Sequence, residues 1–219
     1  MTTRSITFAP QEFYHVYNRG TDKRIIYLDN SDYVRFQELL YIANTINPIS
    51  FKDIKRSNEN VYTFEREEEL VAIGAYCLMP NHFHILVTPL VDGGISTFMN
   101  KLTTGYSMYF NKKYTRTGRL FEGNFKSQHA DTDEYLKYLF SYIHLNPVKL
   151  IQSNWKEIGI QNETIALNYS AAYAYSSLKD YLMDCRKEGV ILNSQPFPKY
   201  FNNNTERKSE LIEWLTYKG

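Results

Sequence analysis

Cysteine is scarce. The 219 residues hold only Cys77 and Cys185, far apart and in no metal-type spacing. That excludes a disulfide framework and a thiolate zinc site, and leaves Cys77 as a small buried residue of a strand. No run of about 18 apolar residues occurs, so no membrane-spanning helix is expected. The opening MTTRSITFAPQEF has no apolar stretch of the signal-peptide kind, which makes a cytoplasmic location the expectation. Internal repeats and low-complexity tracts are also missing. Charge of one sign is not in excess: Lys and Arg number 25 against 24 Asp and Glu. Spread evenly, a net charge of +1 would argue against a nucleic-acid partner.

The charge is not spread evenly. Between positions 101 and 126 stand Lys101, Lys112, Lys113, Arg116, Arg119 and Lys126 against the single acid Glu122, offset elsewhere by acids such as Glu65 and Glu67 to Glu69. Such a run ordinarily means a solvated helix and loop, and it also suits a phosphate backbone. Hydrophobic residues make up 43% of the chain, enough for the core of one domain of ordinary size with appendages.

Periodicity predicts a strand over about 13–18, turn residues at 19–22, and a helix over 31–43 capped by Asn30 or Ser31. The segment 44–69 is polar and irregular and reads as a loop or insertion. Strands over 70–79 and 82–88 flank Pro80-Asn81 as a hairpin. A helix follows over 96–113. Gly118 then breaks the chain, a fourth strand spans 121–129, and a last core helix starts near Asp131, its proposed cap, and stops at Asn146 before Pro147. The order βαββαβα fits an α+β, ferredoxin-like split βαβ fold: an antiparallel sheet with helices on one face. Beyond residue 150 the pattern breaks into short pieces, with mixed helical spacing over 171–185 and a terminal helix over 209–217. The expected division is therefore a core of 1–150 and a C-terminal accessory region of 151–219.

Two features inside this frame stand out. In YCLMPNHFHILVT, residues 76–88, strand alternation puts His82, His84 and Leu86 on one face and Phe83, Ile85 and Val87 on the other. Strand histidines can be buried residues satisfied by hydrogen bonds, or ligands of a metal. On the helix 131–146, Leu136, Leu139, Phe140 and Ile143 form a core stripe at about 100° per residue. A second stripe carries Tyr135, Tyr138, Tyr142 and Asn146. With 19 tyrosines in the chain, these residues could simply flank the core. His129 and His144 read as structural or solvent-exposed.

The blocks FYHVYNRG (13–20), CLMPNHFHILV (77–87), RTGRLFEGNFKS (116–127) and YLFSYIHLNPVKL (138–150) together resemble the HUH single-strand endonucleases. They are most similar to the single-tyrosine transposases and their REP-associated relatives. The resemblance covers about residues 10–150, and Tyr175-Ser176-Ser177 resembles a further element of that family. Asn124 stands where an arginine is common. The resemblance implies that His82 and His84 are metal ligands, that Tyr142 is the nucleophile, and that Asn146 is a third ligand one helical turn on. It implies a divalent metal, Mg²⁺ or Mn²⁺, a single-stranded or hairpin DNA partner, and no membrane. It leaves monomer and homodimer both open. Arg19, Lys112, Arg116, Arg119 and Lys126 are the candidate DNA-backbone contacts.

The chemistry suits those residue types. A phosphodiester repels nucleophiles by its charge, so catalysis must supply positive charge and alignment. Two imidazoles and an amide are neutral and would hold an ion without cancelling its charge. Attack by a tyrosine would give a 5′-phosphotyrosine link and a free 3′-hydroxyl, conserving the phosphoester bond for strand transfer. The alternative is a non-cleaving, hairpin-binding protein derived from a transposase. A histidine-ligated zinc hydrolase of small molecules would need an acidic base near the histidines, and the chain offers no obvious one.

Overall fold

The computed structural model describes residues 7–48, 54, 60–182 and 186–216. Cys185, Tyr217 and residues 49–53 and 55–59 of the expected 44–69 loop lie outside the described residues. Four strands form one antiparallel sheet: β1 (Phe13–Arg19), β2 (Val71–Met79), β3 (His82–Pro89) and β4 (Lys126–Ala130), in the order β2-β3-β1-β4. The main helices are α1 (Asn30–Ile42), α2 (Gly94–Lys113) and α3 (Asp133–Leu145). This is the split βαβ arrangement expected from the element order. No helix among the described residues is long and apolar enough to cross a membrane.

Placement of the helices differs in one respect from the simple expectation. α1 and α2 pack on the sheet face made by Tyr14, Val16, Phe83, Ile85 and Val87. α3 lies on the other face, where Leu136, Leu139 and Ile143 meet Ala72, Cys77, Leu86 and Ala130. The handedness of crossovers accounts for the first pair, since β1-α1-β2 and β3-α2-β4 must both arch over the same side. α3 follows the edge strand β4 and is bound by no crossover. It covers the face that would otherwise be bare, and that is the face of the histidines.

The caps sit one or two residues from the expected places. At α1 the cap is Asp29, not Asn30 or Ser31: its carboxylate accepts from the N–H groups of Ser31 and Asp32, and Asp32 accepts in return from Asp29 N–H at 3.2 Å. This reciprocal box satisfies more orphan donors than a single serine can. At α3 the cap is Thr132, whose hydroxyl accepts from Tyr135 N–H at 3.1 Å, and not Asp131. Past α3 the chain tightens into a 3₁₀ turn, Asn146–Leu150, with Pro147 at its start. The fourth strand is shorter than expected. Leu120 and Phe121 are buried in the core, and only a lone bridge from Gly20 to Phe121 precedes β4.

The C-terminal region holds α4 (Trp155–Ile158), α5 (Glu163–Ala172), α6 (Leu178–Leu182) and α7 (Asn204–Thr216). Its apolar residues Trp155, Leu167, Leu178, Leu211 and Leu215 pack with Leu145 and Val148 into one cluster continuous with the end of α3. The same region protects the edge strand β2: Leu78 N–H donates to Tyr175 C=O, and Ser177 N–H donates to Tyr76 C=O, each at 2.9 Å. A covered edge cannot template pairing with another chain.

Gly94 begins α2 hard against the chain entering β2. A Cβ there would lie 2.2 Å from the carbonyl oxygen of Leu70. Gly94→Ala is therefore expected to destabilise the fold by about 1–3 kcal/mol, the usual cost of overpacking. The urea unfolding midpoint would report this, and an unchanged midpoint would refute it.

Candidate active site

Register, more than proximity in sequence, builds the site. β1 and β3 pair so that Tyr17 faces His84 and Arg19 faces His82. Alternation then puts His15, Tyr17 and Arg19 on the same face as His82 and His84. His15 and His84 are buried, at 5% and 7% exposure, and their rings meet directly: His15 Nε2 lies 2.8 Å from His84 Nδ1, so one of them donates to the other. His82 lies nearer the edge of the site, with its Nδ1 2.6 Å from Asn81 Oδ1. That oxygen can only accept, because the amide nitrogen of Asn81 faces the carbonyl of Lys23. His82 therefore carries its proton on Nδ1 and keeps the Nε2 lone pair free.

These imidazoles are uncharged at neutral pH. Burial pushes the His15 ring down to about 4, and His82 is lowered to about 4 by burial and then by the charges of Lys149 and Arg19. Burial also pushes His84 well down, helped by His15 and His82. Neutral imidazole is the form that ligates a metal.

α3 carries the other half. Its core stripe seats the helix on the sheet, which turns Tyr142 toward the histidines. The Tyr142 ring stands edge-on to His84, with centroids 5.5 Å apart, and edge-on to His15 at 5.9 Å. One turn later, buried Asn146 donates from Nδ2 to the Tyr142 carbonyl at 2.8 Å, and Lys149 Nζ lies 3.5 Å from its Oδ1. The Lys156 ammonium sits 4.6 Å from the centre of the Tyr142 ring. Burial, and then the neighbouring Tyr138, raise the phenol above its ordinary range. Among the described residues no group of three or more His, Cys, Asp or Glu could hold a metal, so an ion here would need mixed donors such as two imidazoles and the Asn146 amide.

The structure thus puts His82 and His84 side by side on the sheet face that α3 covers, with Tyr142 against His84 and Asn146 one turn further along the chain. It divides the basic candidates. Arg19 and Lys126 belong to the histidine face, since Lys126 pairs with Tyr17, which in turn pairs with His84. Arg19 is engaged there by Glu122 through two hydrogen bonds. Lys112 and Arg116 belong to the end of α2, in the opposite layer. Arg116 donates to Asn111 Oδ1 at 3.0 Å and lies over the Phe110 ring. Arg119 is exposed beside Thr103, Ser107 and Gly123.

Three residues of the site escaped the sequence reading: His15, Lys149 and Lys156. Period-two alternation in FYHVYNR would have grouped His15 with Tyr17 and Arg19, but the opposing strand is needed to aim that group at His84. No local signal marks the two lysines. His129 and His144 play the structural or exposed parts expected of them. His129 pairs with Glu12 at the surface at 2.6 Å, and buried His144 lies 2.8 Å from Ser177 Oγ.

The fold and this face define an α+β protein with a histidine-lined sheet and a tyrosine-bearing helix laid across it. Residues 40–146, which include His82, His84, Tyr142 and Asn146, match the family model described as Transposase IS200 like. A solved structure of a REP-associated tyrosine transposase bound to a REP hairpin is similar in fold, with a TM-score of 0.51 at 13% identity over 83% of this chain and 85% of that one. The tRNA(His) guanylyltransferase of Saccharomyces cerevisiae has a TM-score of only 0.37 at 11% identity over 92% and 85%, too slight a likeness to argue from. No curated protein matches the chain in sequence.

Proposed function

We propose that this protein is an IS200-like transposase, a metal-dependent endonuclease and strand transferase of single-stranded DNA that acts at hairpin or repeat sequences through a 5′-phosphotyrosine intermediate. The observation that carries the reading is the packing of the Tyr142 ring against His84, with Asn146 on the next turn. In this reading Tyr142 Oη attacks the scissile phosphorus. The Oη–P bond forms, the P–O3′ bond breaks, the phenolic proton is lost, and the 3′ oxygen takes up a proton.

The donor set would hold a divalent cation through neutral groups, the imidazoles suiting Mn²⁺ better than Mg²⁺ and the phosphate oxygens of bound DNA favouring Mg²⁺. His82 keeps Nε2 free because Nδ1 is spent on Asn81. His84 presents Nε2 if its Nδ1–H donates to His15, so His15 fixes the tautomer and orientation of a ligand it does not replace. Mg²⁺ or Mn²⁺ held by His82, His84 and Asn146 would supply positive charge beside the phosphate and leave positions open to its oxygens. Arg19 and Lys126 flank the same face and are the nearer candidates for the DNA backbone, while Lys112, Arg116 and Arg119 would meet DNA that reaches the other layer. Residues 1–150 serve as the catalytic unit and 151–219 as an accessory region.

Incubation with a labelled hairpin oligonucleotide and Mn²⁺ tests this. A species that survives SDS and is sensitive to protease is expected, and it should vanish in EDTA. Tight binding with no such species would identify a hairpin-gripping module that does not cut. Salt titration adds a second check. If about five phosphates are neutralised, the logarithmic salt slope is about −3.5, or roughly 100-fold weaker binding between 50 and 200 mM salt. A flat dependence would remove the basic residues from the interface.

A further inference from the structure

A cleft of about 580 Å³ runs from Tyr142 along α3, between that helix and the C-terminal region. Its wall is a ladder of aromatic rings. Tyr138 lies 5.7 Å from Tyr142, Tyr135 is stacked on Tyr138 at 5.9 Å, and Trp214 of α7 closes the far side 4.6 Å from Tyr138. All four side chains are half-buried, so their faces are partly presented to the cleft. α7 is held in place there: Lys137 of α3 pairs with Glu210 at 2.7 Å, and Trp214 Nε1–H donates to Glu210 at 3.0 Å. At the Tyr142 end stand Lys149 and Lys156, neither of which pairs with a carboxylate among the described residues. The one acid lining the cleft, Glu134, lies two helical turns away from Tyr142.

From these features we propose that the cleft is a subsite for two or three unpaired nucleotides next to the cut phosphate, their bases stacked along Tyr138, Tyr135 and Trp214 and their phosphates met by Lys149 and Lys156. Flat apolar rings with a cationic end complement a base carrying a phosphate. From Tyr135 to Tyr142 the helix rises about 10 Å, which matches two or three bases at about 3.4 Å spacing. The cavity volume falls within the range of about 300–1,000 Å³ of ordinary ligand sites. Paired bases show only their edges and could not stack there, so the subsite selects single strand over duplex. It also assigns a task to the accessory region, which supplies Trp214 and Lys156. The proposal rests on the reading of Tyr142 as the residue that meets DNA.

The test compares two fluorescein-labelled hairpins, one with a four-nucleotide unpaired flank and one without, by anisotropy in EDTA so that only binding is read. The wild-type chain should prefer the flanked hairpin. Tyr138→Leu and Trp214→Leu should weaken binding of the flanked hairpin about 5- to 100-fold and leave the flankless one within about two-fold, while Tyr138→Phe keeps the preference. Lys156→Ala, at an exposed position, should shrink the salt slope by about 0.7 for the flanked hairpin alone. No wild-type preference, or an unchanged Lys156→Ala slope, overturns the subsite. The Mn²⁺-dependent covalent species is scored separately on wild-type protein. Its formation without flank preference sinks the subsite and spares the cutting reading, and flank preference without it does the reverse.

Discussion

Tyr142→Phe should abolish the SDS-resistant DNA species while leaving hairpin affinity within about two-fold. The substitution removes one oxygen and keeps the ring, so the edge-on contacts with His84 and His15 and the cation over its face survive. Folding stability should move by no more than about 0.5 kcal/mol, the range of substitutions that leave packing intact. The chemical effect is of another order, because loss of a nucleophile costs about 10⁶ in rate where it has been measured in other enzymes. Gel electrophoresis after SDS treatment reads the outcome directly. Persistence of the covalent species at wild-type yield would move the nucleophile elsewhere, first to Tyr138, whose ring lies 5.7 Å away.

The second large effect is acid lability. In EDTA, urea unfolding should show a stability that is flat above about pH 7 and falls steeply as pH drops from 6.5 toward 4. His15 and His82 sit at about 4 and His144 at about 3, with burial the leading cause in each case. His84 is lowered in the same direction. A histidine whose folded value lies below its unfolded value of about 6.5 binds its proton in the unfolded chain first. Between those values the unfolded state holds more protons, so stability rises with pH and is complete above 6.5. Each such group withdraws roughly 3–5 kcal/mol on full acidification, and a domain of this kind has only about 5–15 kcal/mol to lose. His144 offers a clean dissection, since it is buried against Ser177 away from the Tyr142 cleft. In His144→Gln the pH slope should shrink by about 1.4 kcal/mol per pH unit in that window. Equal stability at pH 7 and pH 5 would mean that the buried rings are not held neutral.

Both predictions concern groups whose residue types were visible in the sequence while most of their partners were not. The hairpin over His82 and His84 and the stripe of Tyr135, Tyr138, Tyr142 and Asn146 follow from periods of two and 3.6, which are properties of neighbouring residues. The element order led to the sheet for the same reason. Caps were displaced by a residue or two because Asp29 and Thr132 compete with equally plausible neighbours, and only the backbone geometry chooses between them. The fourth strand was drawn too long because Leu120 and Phe121 carry an apolar signal that the core uses outside the ladder.

The basic run shows the limit most clearly. Charge along the chain says that Lys112, Arg116 and Lys126 are close in sequence, yet Lys126 joins the histidine face and the other two stay with α2 in the opposite layer. His15 is the converse, a residue 69 positions from His84 that strand pairing brings to 2.8 Å.

By itself, then, the sequence determined which residue types each element offers and which of them share a face, because alternation and helical pitch are local and covalent in origin. Tertiary structure alone decided which faces meet. It set α3 across the histidines, put His15 behind His84, and closed the tyrosine cleft with Trp214, because those contacts arise from strand register and from burying apolar stripes that lie far apart along the chain.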